Sequence, residues 1–70
     1  SLTEFVNRCR MFQAQQYLSG TDLPIKTIAQ RCGISDINYF TRMFKRIVGV
    51  TPRAYRMHMP SHIPSMQNQT

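Results

Sequence analysis

Ile25-Lys26-Thr27-Ile28-Ala29-Gln30-Arg31-Cys32-Gly33-Ile34-Ser35-Asp36-Ile37-Asn38-Tyr39-Phe40-Thr41-Arg42-Met43-Phe44 is the stretch that decides the fold, because a helical pattern stops at one glycine and soon restarts. Ile25, Ile28, Ala29 and Cys32 fall on one side of a brief helix running from about Ile25 to Cys32. Gly33 stops it, and Ser35 can cap a second helix that reaches about Val48. In that second helix Phe40, Met43, Phe44 and Ile47 recur at the i, i+3, i+4, i+7 spacing of a buried seam. Two helices that cross closely need a small residue where one passes the other, and Ala29 fits that place. The tight turn after it needs a positive φ, which glycine adopts cheaply, and Gly33 fits. Ile28 and Ile34 then seal the angle between the helices.

Working outward, residues Thr3 to Ser19 contain neither glycine nor proline and read as a long helix. Ser1 or Thr3 is its expected cap, and Gly20 stands where a C-terminal glycine belongs. Its apolar residues form two groups. Leu2, Phe5, Cys9 and Phe12 share one side, while Met11, Ala14 and Leu18 share another with Tyr17 beside them. A helix with two apolar faces is packed on both. Thr21-Asp22-Leu23-Pro24 is a short connection with a cap candidate and a proline suited to a first helical turn. On the other side Gly49 ends the second motif helix, and Thr51-Pro52 restarts a last short one that finishes near Arg56 or Met57. From His58 onward the prolines, amides and hydroxyls show no periodicity, so residues 58–70 are expected to be a disordered tail.

Charge narrows the function. Nine Lys and Arg stand against three acids for a net charge of +6 over 70 residues, and the acids end at Asp36. Arg42, Lys45, Arg46, Arg53 and Arg56 therefore follow in a purely positive segment. That excess favours phosphate backbones or anionic surfaces. A membrane-surface helix would be continuous, whereas Gly33, Gly49 and Pro52 divide the chain into packed pieces. No apolar run approaches the roughly 20 residues a membrane span needs, and no export signal is expected. Glu4, Asp22 and Asp36 are too scattered for paired-carboxylate or triad chemistry, so no catalytic residues and no enzyme are expected. Cys9 and Cys32 form no CxxC pair and read as small buried residues in a reducing cytoplasm. His58 and His62 have Pro60 between them, which spoils a helical metal pair, so neither metal nor cofactor is expected.

The face opposite the seam carries the chemistry. With Phe40, Met43, Phe44 and Ile47 buried, the outward residues are Asp36 or Ile37, Asn38, Tyr39, Thr41, Arg42, Lys45 and Arg46. Asparagine can pair bidentately with adenine and arginine with guanine, while Ile37 and the Tyr39 ring suit thymine methyl groups. Lys45 and Arg46 lie at the C-terminal end, where they reach flanking phosphates. An ordinary solvated face would intersperse acids among these cations.

The series Arg10-Met11-x-x-Ala14-x-x-x-Leu18, Ile25-x-x-Ile28-Ala29-x-x-x-Gly33-Ile34 and Tyr39-Phe40-x-x-Met43-Phe44-Lys45-x-x-x-Gly49-Val50-Thr51-Pro52-x-x-Tyr55-Arg56 resembles the AraC/XylS family of bacterial transcription regulators. The resemblance spans Leu2 to Met57. It implies an all-α, homeodomain-like helix-turn-helix bundle of about four helices, with 1–20 a linker helix and 21–57 the second of two helix-turn-helix units. It further implies double-stranded DNA as partner. The resemblance places Ile37, Asn38, Tyr39 and Arg42 at base-facing positions, with Ser35, Thr41, Lys45, Arg46, Thr51 and Arg53 nearer the DNA backbone. Docking of RNA polymerase or another protein on the same surface is the alternative use. Two copies pairing through Leu2, Phe5, Cys9 and Phe12 is a further expectation. Two positions depart from the family pattern. Asp36-Ile37 replaces a polar first turn, and there a capping role for Asp36 is favoured over a base contact; Phe12 replaces a usually charged linker position.

Overall fold

A computed structural model describes residues 1–58, so all of the expected tail except His58 lies outside it, with Met59, His62 and Met66. Four helices follow one another: α1 Leu2–Gly20, α2 Ile25–Arg31, α3 Ile37–Val48 and α4 Pro52–His58. No strand occurs among the described residues. The core draws Met11, Ala14 and Leu18 from α1, Ile28 and Ala29 from α2, Cys32 and Ile34 from the turn, and Phe40, Met43 and Phe44 from α3. Phe40 and Phe44 tilt against each other at 6.0 Å, and the Tyr55 ring of α4 meets Phe44 edge-on at 5.7 Å. Aromatic pairs of this kind favour tilted and edge contacts because ring faces are negative and ring edges positive.

The α2–α3 turn is built as the glycine pattern predicts. Gly33 has φ +88, the Ile34 N–H donates to the Ala29 carbonyl at 2.9 Å, and the Gly33 N–H donates to Gln30 at 3.0 Å. This pair of bonds satisfies carbonyls that the helix end would otherwise leave unpaired, and buried Ile34 folds back over α2. Gly49, at φ +105, closes α3 through its N–H on the Lys45 carbonyl. Thr51 caps α4, its hydroxyl accepting from the Ala54 N–H, and Pro52 takes the first helical position as expected.

Several boundaries differ from the sequence expectation. The cap of α3 is Asp36, not Ser35; its carboxylate accepts from the N–H groups of Asn38 at 2.9 Å and Tyr39 at 3.3 Å. A carboxylate is the stronger acceptor for exposed helix donors, so it takes the position. Gly20 lies inside α1 rather than ending it in a left-handed turn. The helix stops at extended Thr21, whose N–H and hydroxyl both donate to the Tyr17 carbonyl. Pro24 precedes α2 as its cap residue, without a side-chain hydrogen bond, instead of entering the first turn. Cys32 caps the C-terminal end of α2, and His58 belongs to α4, one residue past the expected helix end. Ile47 is only half-buried, packed against the core rather than within it.

Candidate nucleic-acid interface

The buried seam of α3 fixes what its other side presents. Phe40 and Phe44 are fully buried, so Asn38, Arg42 and Lys45 stand opposite them, within about 60° of one another at 100° per residue. All three are exposed. Ile37 and Tyr39 are exposed on the flanks of this face. Neither Arg42 nor Lys45 has an ion-pair partner among the described residues, and the Asn38 side-chain amide has no hydrogen-bond partner there either. Tyr39, Arg42, Met43 and Arg46 line a shallow open depression of about 280 Å³ along one edge. Of these, Met43 is buried and the two arginines are exposed.

The expected backbone-contacting residues are less alike. Lys45 and Arg46 occupy the last turn of α3, where the negative end of the helix dipole favours cations. Thr41 is half-buried, because its position lies between the seam and the outward face. Ser35 is exposed in the loop before α3, and Thr51 is half-buried with its hydroxyl engaged as the α4 cap. Arg53 is exposed on α4, and no hydrogen bond or ion pair ties it to α3 among the described residues. The structure thus gathers Ile37, Asn38, Tyr39, Arg42, Lys45 and Arg46 on one helix, while Ser35, Thr51 and Arg53 sit on segments beside it.

Three charged residues have roles that the charge count concealed. Arg56 spends its guanidinium within the fold: Nε donates to the Leu18 carbonyl at 3.2 Å, Nη1 to Leu23 at 2.7 Å and Nη2 to Thr21 at 3.0 Å. One forked side chain thereby ties α4 to the end of α1 and to the connection before α2. Arg10 lays its guanidinium beside the turn, 3.5 Å from where a Cβ on Gly33 would stand. Glu4 pairs with Arg8 at 3.2 Å and with Arg46 at 3.7 Å. Tyr55-Arg56 was visible as a motif, but carbonyls more than 30 positions away leave no local signal.

No cluster of three metal-capable side chains exists among the described residues, and no described helix is long and apolar enough to cross a membrane. Burial pushes the Cys32 thiol above its ordinary value of 9.0, and the Arg10 charge pulls it partly back. Cys32 is therefore a protonated core residue, as expected. Cys9, expected to be buried too, is exposed, because it lies on the side of α1 that the other helices leave uncovered.

Comparison with known proteins gives the same picture. A family model described as a helix-turn-helix domain matches residues 1–58. The transcriptional activator RhaR of Cronobacter sakazakii is 43% identical over 56 residues, covering 80% of this chain and 20% of that protein. The C-terminal domain of AraT, a response regulator of Geobacillus stearothermophilus, superposes with a TM-score of 0.85 at 33% identity, covering all of this chain and 56% of the other. The C-terminal domain of the response regulator yesN of Fusobacterium nucleatum gives a TM-score of 0.76 at 35% identity, covering 77% and 52%. The chain thus spans about a fifth of the curated relative and about half of each solved domain.

Proposed function

The chain belongs to the AraC-type helix-turn-helix family of DNA-binding transcription regulators, and on that premise we propose that α3 enters the major groove with Asn38 and Arg42 as its principal base-reading residues. Ile37 and Tyr39 flank them as apolar contacts to thymine methyl groups. Ser35, Thr41, Lys45, Arg46, Thr51 and Arg53 hold the DNA backbone and set the register. The observation that supports this assignment is the composition of the outward face: an exposed amide and exposed cations without partners, opposite a fully buried aromatic seam.

A long basic helix alone would bind DNA without preference, so the decisive measurement separates base from phosphate contacts. Binding sites are selected from random duplexes with the intact parent protein, and each variant is then tested on the selected site and its single-base changes. Arg42→Ala is expected to cost about 1–3 kcal/mol and to relax preference at one base pair. Lys45→Ala is expected to weaken all duplexes alike and to reduce the salt slope by about one phosphate contact. Equal loss from Arg42→Ala on every sequence would assign Arg42 to phosphate instead. Failure to enrich any sequence would leave protein docking, for example on RNA polymerase, as the use of this face. We place the protein in the cytoplasm, where the chromosome of a bacterial regulator lies.

A second partner is favoured by the uncovered side of α1. Leu2, Phe5 and Phe12 are 77%, 64% and 63% exposed, with exposed Cys9 among them, and two copies pairing through this face would remove that apolar surface from water.

A further inference from the structure

Glu4 touches the DNA-facing helix from outside it. It is half-buried near the start of α1, and both ion pairs among the described residues belong to it. One carboxylate oxygen lies 3.2 Å from Arg8 Nε and the other 3.7 Å from Arg46 Nη2. Neither of the other two acids forms an ion pair; Asp36 is occupied by the α3 cap. Arg46 lines the depression together with Tyr39, Arg42 and Met43, so the Glu4 carboxylate is paired with one of its lining residues. A carboxylate holding a guanidinium there occupies it as a phosphate oxygen would.

We propose that Glu4 is an internal phosphate competitor that masks Arg46 and thereby lowers sequence-independent affinity for DNA. The inference rests on the DNA-binding role of α3. A masked cation must leave its carboxylate before it can neutralise a phosphate, so its contact adds less to binding than a free cation's would. Phosphate contacts add equally to every sequence, whereas base contacts do not. Weakening one phosphate contact lowers affinity for all duplexes alike and lets unmasked Arg42 and Asn38 account for a larger share of binding. The loose 3.7 Å separation suits a mask that phosphate can displace.

The test needs no operator. Anisotropy titrations of this chain on a short duplex of mixed sequence, repeated across a salt series, compare wild type, Glu4→Gln, Arg46→Gln and the double variant. Glutamine keeps the size and helix propensity of the side chain, and circular dichroism checks that each variant is folded. Glu4→Gln is expected to tighten binding roughly two- to fivefold at low salt, the scale of an exposed ion pair. The slope of log K against log salt should steepen by up to about 0.9, the equivalent of one phosphate contact. In the Arg46→Gln background the same change should add neither. Unchanged or weaker binding by Glu4→Gln overturns the proposal, the latter by making Glu4 a positioning partner of Arg46. A gain that persists without Arg46 also overturns it, since the carboxylate would then repel DNA directly. If wild type binds no duplex at any salt, the DNA-binding role of α3 falls and the mask with it; binding without a Glu4 effect removes the mask alone.

Discussion

Arg56 carries a charge that composition assigns to DNA and the fold assigns to the chain itself. Its three carbonyl acceptors, on Leu18, Thr21 and Leu23, lie in the one place where α1 ends and the chain turns towards α2. Charge-assisted hydrogen bonds of this kind contribute more than neutral ones, so Arg56→Ala should lower stability by about 1.5–3 kcal/mol in urea unfolding. Arg56→Lys should recover only part of it, because a single ammonium cannot span three acceptors as a planar fork does. Wild-type stability in Arg56→Ala would show that the clamp contributes nothing. Cys32 gives a second prediction at this scale. Its thiol keeps its proton in the fold, so the stability tied to it is present below 9.0 and is lost as pH rises through the folded value. Thermal unfolding followed upward from neutral pH should show that decline, and Cys32→Ala should show less of it. A thiol reagent should meanwhile modify exposed Cys9 at once and buried Cys32 only on unfolding. Equal rates for the two thiols would contradict this burial.

Elements were legible in sequence to the extent that their signals are local. The α2–α3 motif follows from Ala29, Gly33 and the Phe40, Met43, Phe44 seam, all of which act within a turn or two of their own position. The outward position of Asn38, Arg42 and Lys45 is the geometric complement of that seam, so it was readable for the same reason. Ends were less so, because neighbouring residues compete for each cap. Ser35 and Asp36 are both good caps, and the carboxylate prevails by reaching two N–H groups at once. Asp36→Ala should accordingly destabilise the chain by about 0.5–2 kcal/mol, and Ser35→Ala should change little. Chemical denaturation of both variants measures this, and a larger effect at Ser35 would return the cap to that residue. Gly20 misled in the same way. A threonine that closes the helix through both its N–H and its hydroxyl makes a left-handed glycine unnecessary. The Glu4 and Arg56 contacts were illegible because they join positions distant in sequence, which no periodicity encodes.

At the scale of the molecule, α1 remains unfinished business for the fold. One of its two apolar faces, Met11, Ala14 and Leu18, is buried against the other helices, while Leu2, Phe5 and Phe12 face water. A domain near 60 residues buries only about 60% of the surface of its unfolded chain, so an uncovered aromatic pair weighs heavily on a small core. The face must pack against something to be stabilising, and a second copy supplies an identical apolar stripe by two-fold symmetry. Association of this chain should therefore rise with concentration in analytical ultracentrifugation. Replacing Phe5 and Phe12 together by Ser should abolish it without loss of helical signal, because neither ring belongs to the core. The wild-type midpoint of thermal unfolding should also climb with concentration, since a partner that binds only the folded state stabilises it by mass action. The double variant should show no such climb. A compact wild-type monomer at millimolar concentration would sink pairing through α1 and leave this face to a different partner, while the outward side of α3, which shares none of these residues, would be untouched.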